Sequence, residues 1–258
     1  MTGQIAALFR HPVKGFTPEQ LASAQLVAGQ PFPCDRIYAV ENGPSGFDPD
    51  APAFIPKQKF AVLARMATVA RARTAYDEAS GVLTANAESL PDFSGQLTGP
   101  EGRAAFADWL KRLLGDEADG PLQVLPAPEA HRFMDHPLGH VSIVNLASVR
   151  DLEARLGRPV DPLRFRANLY VEGWPAWAEN DWEGRELMLG WARAKVFKPI
   201  VRCAATEVDP ATGARDIEVV KALFDNYGHM DCGIYVHVVG GGLVSAGDAA
   251  TIPTDGAR

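Results

Sequence analysis

The sequence predicts a mainly β protein of α+β plan: a β-barrel carrying a few helices, with a β-rich N-terminal part. Three observations carry that expectation. Short apolar runs are repeatedly broken by turn chemistry, with 24 glycines and 20 prolines in 258 residues. Few stretches have helical spacing. Strands and helices do not alternate regularly, which argues against a doubly wound dinucleotide-binding sheet. The run Gly240-Gly241-Gly242 lacks both the glycine spacing of a dinucleotide fingerprint and the helix that should follow it.

Taken in order, residues 4–10 read as a first strand stopped by Pro12, followed by the turn His11-Pro12-Val13-Lys14-Gly15. Residues 34–40 read as a second strand with Arg36 near its start, and 42–56, dense in Gly, Pro and Asp, as a long loop. Strands are expected over 57–69 and 82–84, with a turn at 77–81 between them. Residues 102–114 form the first helix: Phe106, Trp109, Leu110 and Leu113 share one face, and Gly115 ends it. A short strand at 122–125 precedes an irregular segment, 126–139, which marks the domain seam.

After the seam, 140–144 leads into a helix over 146–156, N-capped by Asn145, stopped by Gly157 and barred from continuing by Pro159. Strands follow at 168–171 and 186–197, then a tight turn at 209–213. A short helix over 216–224 is expected to turn Ile217, Val220 and Phe224 inward. Residues 233–239 and 243–245 read as a closing hairpin about the triple glycine.

Composition excludes several classes. The formal net charge is −7, so no basic excess draws the chain to nucleic acid or an anionic membrane, and any anion site must be a local cluster of Arg and Lys. No apolar run reaches the length of a membrane helix, and the N-terminus does not read as a signal peptide. Cys34, Cys203 and Cys232 make neither a disulfide framework nor a zinc quartet, and no iron–sulfur spacing occurs; a cytoplasmic setting is expected. Nucleophile-elbow, P-loop and His-Glu-x-x-His motifs are lacking.

The residues able to carry chemistry centre on 198–209, Lys-Pro-Ile-Val-Arg-Cys-Ala-Ala-Thr-Glu-Val-Asp. Cys203 has no second Cys or His at chelate spacing. It reads as a single-thiolate ligand, a nucleophile, or a buried small hydrophobe. Arg202 on a strand would face away from it, leaving Arg166 as the cation able to favour its anion. On a strand, Arg166 and Asn168 would share a face, pairing an anion fork with an amide. Lys14 is either a solvated turn lysine or an anion contact. Trp174, Trp177, Glu179 and Trp182 read as packing and loop anchoring, and His229, Asp231 and Cys232 as a loop lining the mouth of the site.

Several motifs in register resemble those of MOSC-domain proteins: Arg166-x-Asn168, Arg202-Cys203, Trp177-x-Glu179-x-x-Trp182-x-Gly184, and Asp209-Pro210-x-Thr212-Gly213. Upstream, the His11–Gly15 turn and the run 35–40 look like the β-barrel domain that precedes MOSC in the amidoxime-reducing branch. There a Tyr-Pro-Val-Lys-Ser element is typical, so Gly15 departs from the pattern. The resemblance implies a MOSC-associated β-barrel domain at 1–127 and a MOSC domain at 128–258. It also implies a molybdenum cofactor, the pterin dithiolene form, with Cys203 as thiolate on the metal and Cys203 and Asn168 as catalytic residues. Lys14, Arg36, Arg166 and Arg202 are implied to hold phosphate and pterin, and Ser142, Asn168 and Tyr235 to donate hydrogen bonds.

The implied reaction is reduction of N-hydroxylated small molecules without pyridoxal phosphate. Electrons would come from a separate ferredoxin- or cytochrome-type protein, since neither the anchor of mitochondrial relatives nor the ferredoxin domain of some bacterial ones is expected here. The alternative implied is a non-enzymatic carrier of molybdenum cofactor or sulfur.

Overall fold

The protein, seen in a computed structural model, is described over residues 1–253 other than 130 and 139. Both omitted positions fall in the expected seam at 126–139, and 254–258 of the expected second domain lie outside the described residues.

The N-terminal half holds β1 (Thr2–Arg10), β2 (Glu19–Leu21), β3 (Ser23–Leu26), β4 (Tyr38–Asn42), β5 (Arg73–Asp77), β6 (Val82–Ala87), β7 (Leu90–Gln96), α1 (Pro100–Leu114) and β8 (Leu122–Pro126). Then come β9 (Val141–Asn145), α2 (Leu146–Leu156), β10 (Leu169–Glu172), β11 (Glu186–Leu189), β12 (Ala192–Val201), α3 (Val219–Tyr227), β13 (Asp231–Gly240), β14 (Gly242–Ser245) and β15 (Ala249–Thr251). An eight-stranded sheet runs β10-β9-β13-β12-β11-β15-β1-β2, and a further antiparallel pairing of β1 with β10 closes it into a barrel. Closure leaves the ring with no free edge to aggregate. Inward residues such as Ile5, Ile143, Leu169, Leu187, Ala194 and Val236 fill it.

A second core joins β4 and β8, the β5-β6-β7 meander and α1, with Phe106, Trp109 and Leu110 fully or almost fully buried. The division expected after residue 127 is crossed by β1, β2 and β3: the first two belong to the barrel sheet and β3 pairs with β14. Helices α2 and α3 pack outside the barrel through Val149, Leu152, Val219 and Leu223. Among the described residues no helix is long and apolar enough to cross a membrane.

Local signals place α2 as expected. Asn145 Oδ1 accepts the Ala147 N–H at 3.0 Å, and Gly157 ends the helix in the left-handed region at φ 64°; such a cap contributes about 1 kcal/mol. Elsewhere tertiary partners override the local reading. Residues 57–69 are not a strand but two 3-10 turns, Lys57–Lys59 and Ala67–Arg71, about an irregular run in which Phe60, Ala61, Val62, Leu63 and Met66 are buried. A continuous apolar run has no period to mark its conformation.

The second strand begins at Tyr38, not 34. Cys34 and Arg36 have φ of 54° and 51°, because the chain turns to bury the Asp35 carboxylate against the His11 N–H at 2.6 Å. Arg166 is likewise not in a strand; it ends the 3-10 turn Pro162–Phe165 at φ 51°, so it shares no strand face with Asn168. Helix α3 starts later than expected and leaves Phe224 exposed, since Val219, Ala222 and Leu223 supply its inward stripe. The last hairpin does not form: β14 pairs with β3.

Candidate functional site

The residues expected to act converge at one end of the barrel, on a cavity of about 210 Å³. Three neighbouring strands build one wall. Ser142 on β9 lies opposite Tyr235 on β13, which lies opposite Lys198 on β12, and all three line the cavity. Gly233 lets these strands close up. Its φ is +80°, and a Cβ there would sit 2.3 Å from the Ile143 carbonyl oxygen. The segment after β12 supplies Arg202 and Cys203, and the left-handed turns supply Arg36 and Arg166.

Cys203 is the half-exposed thiol of the chain, while Cys34 and Cys232 are buried and burial pushes each up to about 12. They remain thiols at neutral pH. Burial alone would lower the Lys57 ammonium, but its interaction with Cys203 and the charge of Asp135 hold it above its usual value. Arg166 is lowered to about 10, first by burial and then by the Arg36 charge beside it, and its Nη2, fully buried, has no acceptor among the described residues. An unpaired buried guanidinium nitrogen in a cavity is a place for an anion.

Other cations are committed. Arg36 pairs with Asp35 and donates to the Arg166 carbonyl at 3.2 Å. Arg202 donates to the Cys232 carbonyl at 2.7 Å and the Phe165 carbonyl at 2.8 Å, with its guanidinium 5.3 Å from the Phe165 ring. Arg164, also at the wall, is bound to Asp216 at 2.7 Å and Asp209 at 3.1 Å. Burial pushes the Tyr235 phenol up to about 12, so it stays a donor at neutral pH.

Two of the expected residues lie back from the main cavity. Lys14 is buried, donates to the Phe133 carbonyl at 2.9 Å and pairs with Asp135. It lines a smaller recess sharing Arg36, Lys57, Arg166 and Cys203 with the cavity. Gly15 beside it has φ +91°, and a Cβ would lie 3.0 Å from the Ala61 carbonyl, so a serine at this position would be strained and crowded. Asn168 is fully engaged: Oδ1 accepts from the Ser142 N–H at 3.0 Å and hydroxyl at 2.9 Å, and Nδ2 donates to the Phe9 carbonyl at 3.2 Å.

His229, Asp231 and Cys232 do not line the mouth. The left-handed Gly228 turns the chain so that His229 packs on Trp177 and Tyr227, each about 6.0 Å away, while Cys232 is buried in β13. Trp174 and Trp182 pack edge to face at 4.8 Å in the barrel core. Lys57, Asp135, His136 and Lys198 were not anticipated as wall residues. Lys198 opens the stretch centred on Cys203 and could have been found by following the strand to its partner. Lys57 and Asp135 carry no local signal.

Arginines and lysines gathered around the half-buried Cys203 thiol thus make a cation-lined pocket at one end of the barrel. Family models match both halves: the MOSC N-terminal beta barrel domain over residues 2–120 and the MOSC domain over 130–251. The chain belongs to the MOSC-domain family, in the arrangement with an N-terminal β-barrel domain.

It is 31% identical over 134 residues to mitochondrial amidoxime reducing component 2 of Bos taurus, covering 48% of this chain and 39% of that protein. To mitochondrial amidoxime-reducing component 1 of Homo sapiens it is 38% identical over 71 residues, 28% of this chain and 20% of that one. To molybdenum cofactor sulfurase of Anopheles gambiae it is 31% identical over 152 residues, 52% of this chain and 20% of that one. The matched stretches thus span well under two thirds of each of these relatives. A solved structure of the YUAD protein from Bacillus subtilis covers 97% of this chain and 94% of its own at 14% identity, with a TM-score of 0.46, a likeness too weak to argue from.

Proposed function

We propose that this protein holds a molybdenum cofactor in the Cys203 cavity and reduces N-hydroxylated small molecules, taking electrons from a separate redox protein of ferredoxin or cytochrome type. The observation that carries the reading is the half-exposed Cys203 thiol in a wall of cations, with the buried Arg166 Nη2 left without an acceptor. That donor set fits the group: a soft thiolate for the metal and the open Arg166 guanidinium, beside the Arg36 charge, for a phosphate. The named activities of the amidoxime-reducing relatives support the choice of reaction. Bound there, such a cofactor supplies two-electron cleavage of an N–O bond, which with two protons releases water and the reduced nitrogen compound.

The chain's own residues do the rest. Arg166, supported by Arg36, receives the anionic end, and Lys14 stiffens the floor through Asp135. Lys57, at the same wall, places an ammonium charge beside Cys203. Arg202 ties the Cys232 and Phe165 carbonyls together and so anchors the backbone that carries Cys203. Tyr235 offers a phenol proton as a hydrogen bond, and Asn168 acts by holding Ser142 at the wall.

A second reading, a carrier of molybdenum cofactor or sulfur, draws on the similarity to molybdenum cofactor sulfurase, which is as extensive as that to the reducing components. Metal and pterin content of wild type and Cys203→Ala from a cofactor-competent host tests the site. Stoichiometric molybdenum in the wild type, with loss of the thiolate signature in the variant, is expected; an empty wild type overturns it. Benzamidoxime turnover with an artificial reductant then decides the function. Turnover at least a hundredfold above Cys203→Ala supports the reductase, and its absence in loaded protein favours the carrier.

A further inference from the structure

The charges of the cavity do not all have an evident use. Arg36 is neutralised by Asp35, Arg164 by Asp209 and Asp216, and Asp135 is taken by Lys14. Lys57 also lines the smaller recess behind, together with Lys14 and Cys203, and the open nitrogen of Arg166 is buried. Lys198 remains. It lines the cavity from the β12–β13 register, opposite Tyr235, and has no hydrogen-bond or ion-pair partner among the described residues. Val201, also in the wall, is 56% exposed, so this side of the cavity opens to solvent.

His136 lines the same cavity, its ring 5.3 Å from Phe197 and 6.1 Å from Tyr235. Its Nδ1 accepts the Leu138 N–H at 3.1 Å, so in the neutral ring the proton is on Nε2. Burial, then the Lys198 and His237 charges, lower its pKa and keep it neutral at pH 7. The lining of the cavity therefore holds an unpaired ammonium and an imidazole N–H beside the apolar Ile200 and Val201. In a chain of net charge −7, which repels anions at a distance, a local pair of donors is what an anionic ligand would need.

We infer that the substrate of this site carries an anionic group, of carboxylate type, that Lys198 holds at the cavity mouth with His136 as a second donor. The inference rests on the reductase reading and specifies its substrate class: an N-hydroxylated compound with an apolar body and an acidic end. Lys198 is then a specificity residue. An ammonium selects for negative charge without demanding one geometry, unlike the planar fork of an arginine.

The test compares benzamidoxime, neutral at pH 7.5, with 4-carboxybenzamidoxime on cofactor-loaded protein. Binding is measured by calorimetry with no reductant, and kcat/KM separately with an artificial one. Wild type is expected to bind the carboxylated compound about tenfold more tightly, the scale of one charge-assisted hydrogen bond at a half-open site. Lys198→Met should collapse that ratio to near unity, Lys198→Arg should keep most of it, and Lys198→Glu should invert it. Equal binding of the two compounds by wild type, or a preference that Lys198→Met leaves intact, overturns the substrate class while benzamidoxime turnover still upholds the reductase. Loss of molybdenum from Lys198→Met would assign the lysine to the cofactor and overturn the inference as well. If loaded wild type neither binds nor turns over either amidoxime, the reductase reading falls first and this inference with it.

Discussion

Two buried polar clusters hang on strand β9, one at Asn145 and one at Ser142, and they are built on opposite principles. Around Asn145 every group is answered. Glu179, fully buried, accepts from Asn145 Nδ2 at 2.8 Å and from the Ser148 hydroxyl at 2.7 Å; Ser148 in turn accepts the Trp177 N–H at 2.8 Å. Asn145 also donates to the Pro175 carbonyl at 2.8 Å and caps α2. Around Ser142 the network is left open: Arg166 Nη2 has no acceptor, Lys198 has no partner among the described residues, and the Cys203 thiol is half-exposed. A satisfied buried network rigidifies a fold, whereas an incomplete one leaves polar groups at a cost that a bound group or water would offset. The first cluster explains why the Trp-x-Glu motif is structural; the second leaves polar groups open on the cavity that Arg202 and Cys203 line.

The largest effect expected from this contrast is at the closed cluster. Glu179→Ala strands the Asn145 amide and the Ser148 hydroxyl and should remove about 3–4 kcal/mol of stability, read from urea unfolding. A loss under about 1 kcal/mol would erase the distinction between the clusters.

Next in size is Asp35, which lies on the boundary between fold and site. Burial alone would raise its carboxyl, but the Arg36 guanidinium and the His11 hydrogen bond hold it well below the usual range. A depressed folded pKa contributes stability that is fully present above the unfolded value of about 4 and is lost as pH falls through the folded one. Asp35→Asn should therefore cost about 2–3 kcal/mol at pH 7 and less at each step below about pH 4. Denaturation curves of both proteins from pH 7 to pH 3 would show a constant gap if the pairing contributes nothing.

The smallest stability effect, with opposite sign, is at the open cluster. Arg166→Met removes a buried charge that lacks a full set of partners, so stability should hold or rise by about 1 kcal/mol. Binding of inorganic pyrophosphate, measured by calorimetry, should weaken about tenfold. Destabilisation by more than about 2 kcal/mol would mean the guanidinium is structural after all and the open cluster is closed in a way the geometry hides.

Legibility in the sequence followed the range of the interactions. Helices α1 and α2 were readable because their stripes and stops are local: Phe106, Trp109 and Leu110 repeat at helical spacing, and Asn145 and Gly157 act on neighbouring backbone groups. The long loop before Lys57 and the Asp209 turn were readable for the same reason; Asp209 Oδ1 accepts the Ala211 and Thr212 N–H groups at 2.8 and 2.7 Å. Misreadings gathered where a distant partner sets the backbone. The strand expected from Cys34 is bent by the carboxylate of its own Asp35 reaching His11, and the hairpin expected at the triple glycine is replaced by β14 pairing with β3, far back in the chain.

By itself the sequence determined that Cys203 stands alone without chelating neighbours, that an anion site would need a local cation cluster, and that barrel and helix segments occur roughly where they do. These follow from residue type and near-neighbour spacing, which no folding changes. Only the tertiary structure decided which cations meet at the thiol. Arg36 donates to the carbonyl of Arg166 across 130 residues of sequence, Lys57 arrives from a 3-10 turn, and Lys198 is aimed by its register with Tyr235. The physical reason is that an electrostatic site is a sum over distances in space. Barrel closure sets those distances, and spacing along the chain carries almost no information about them.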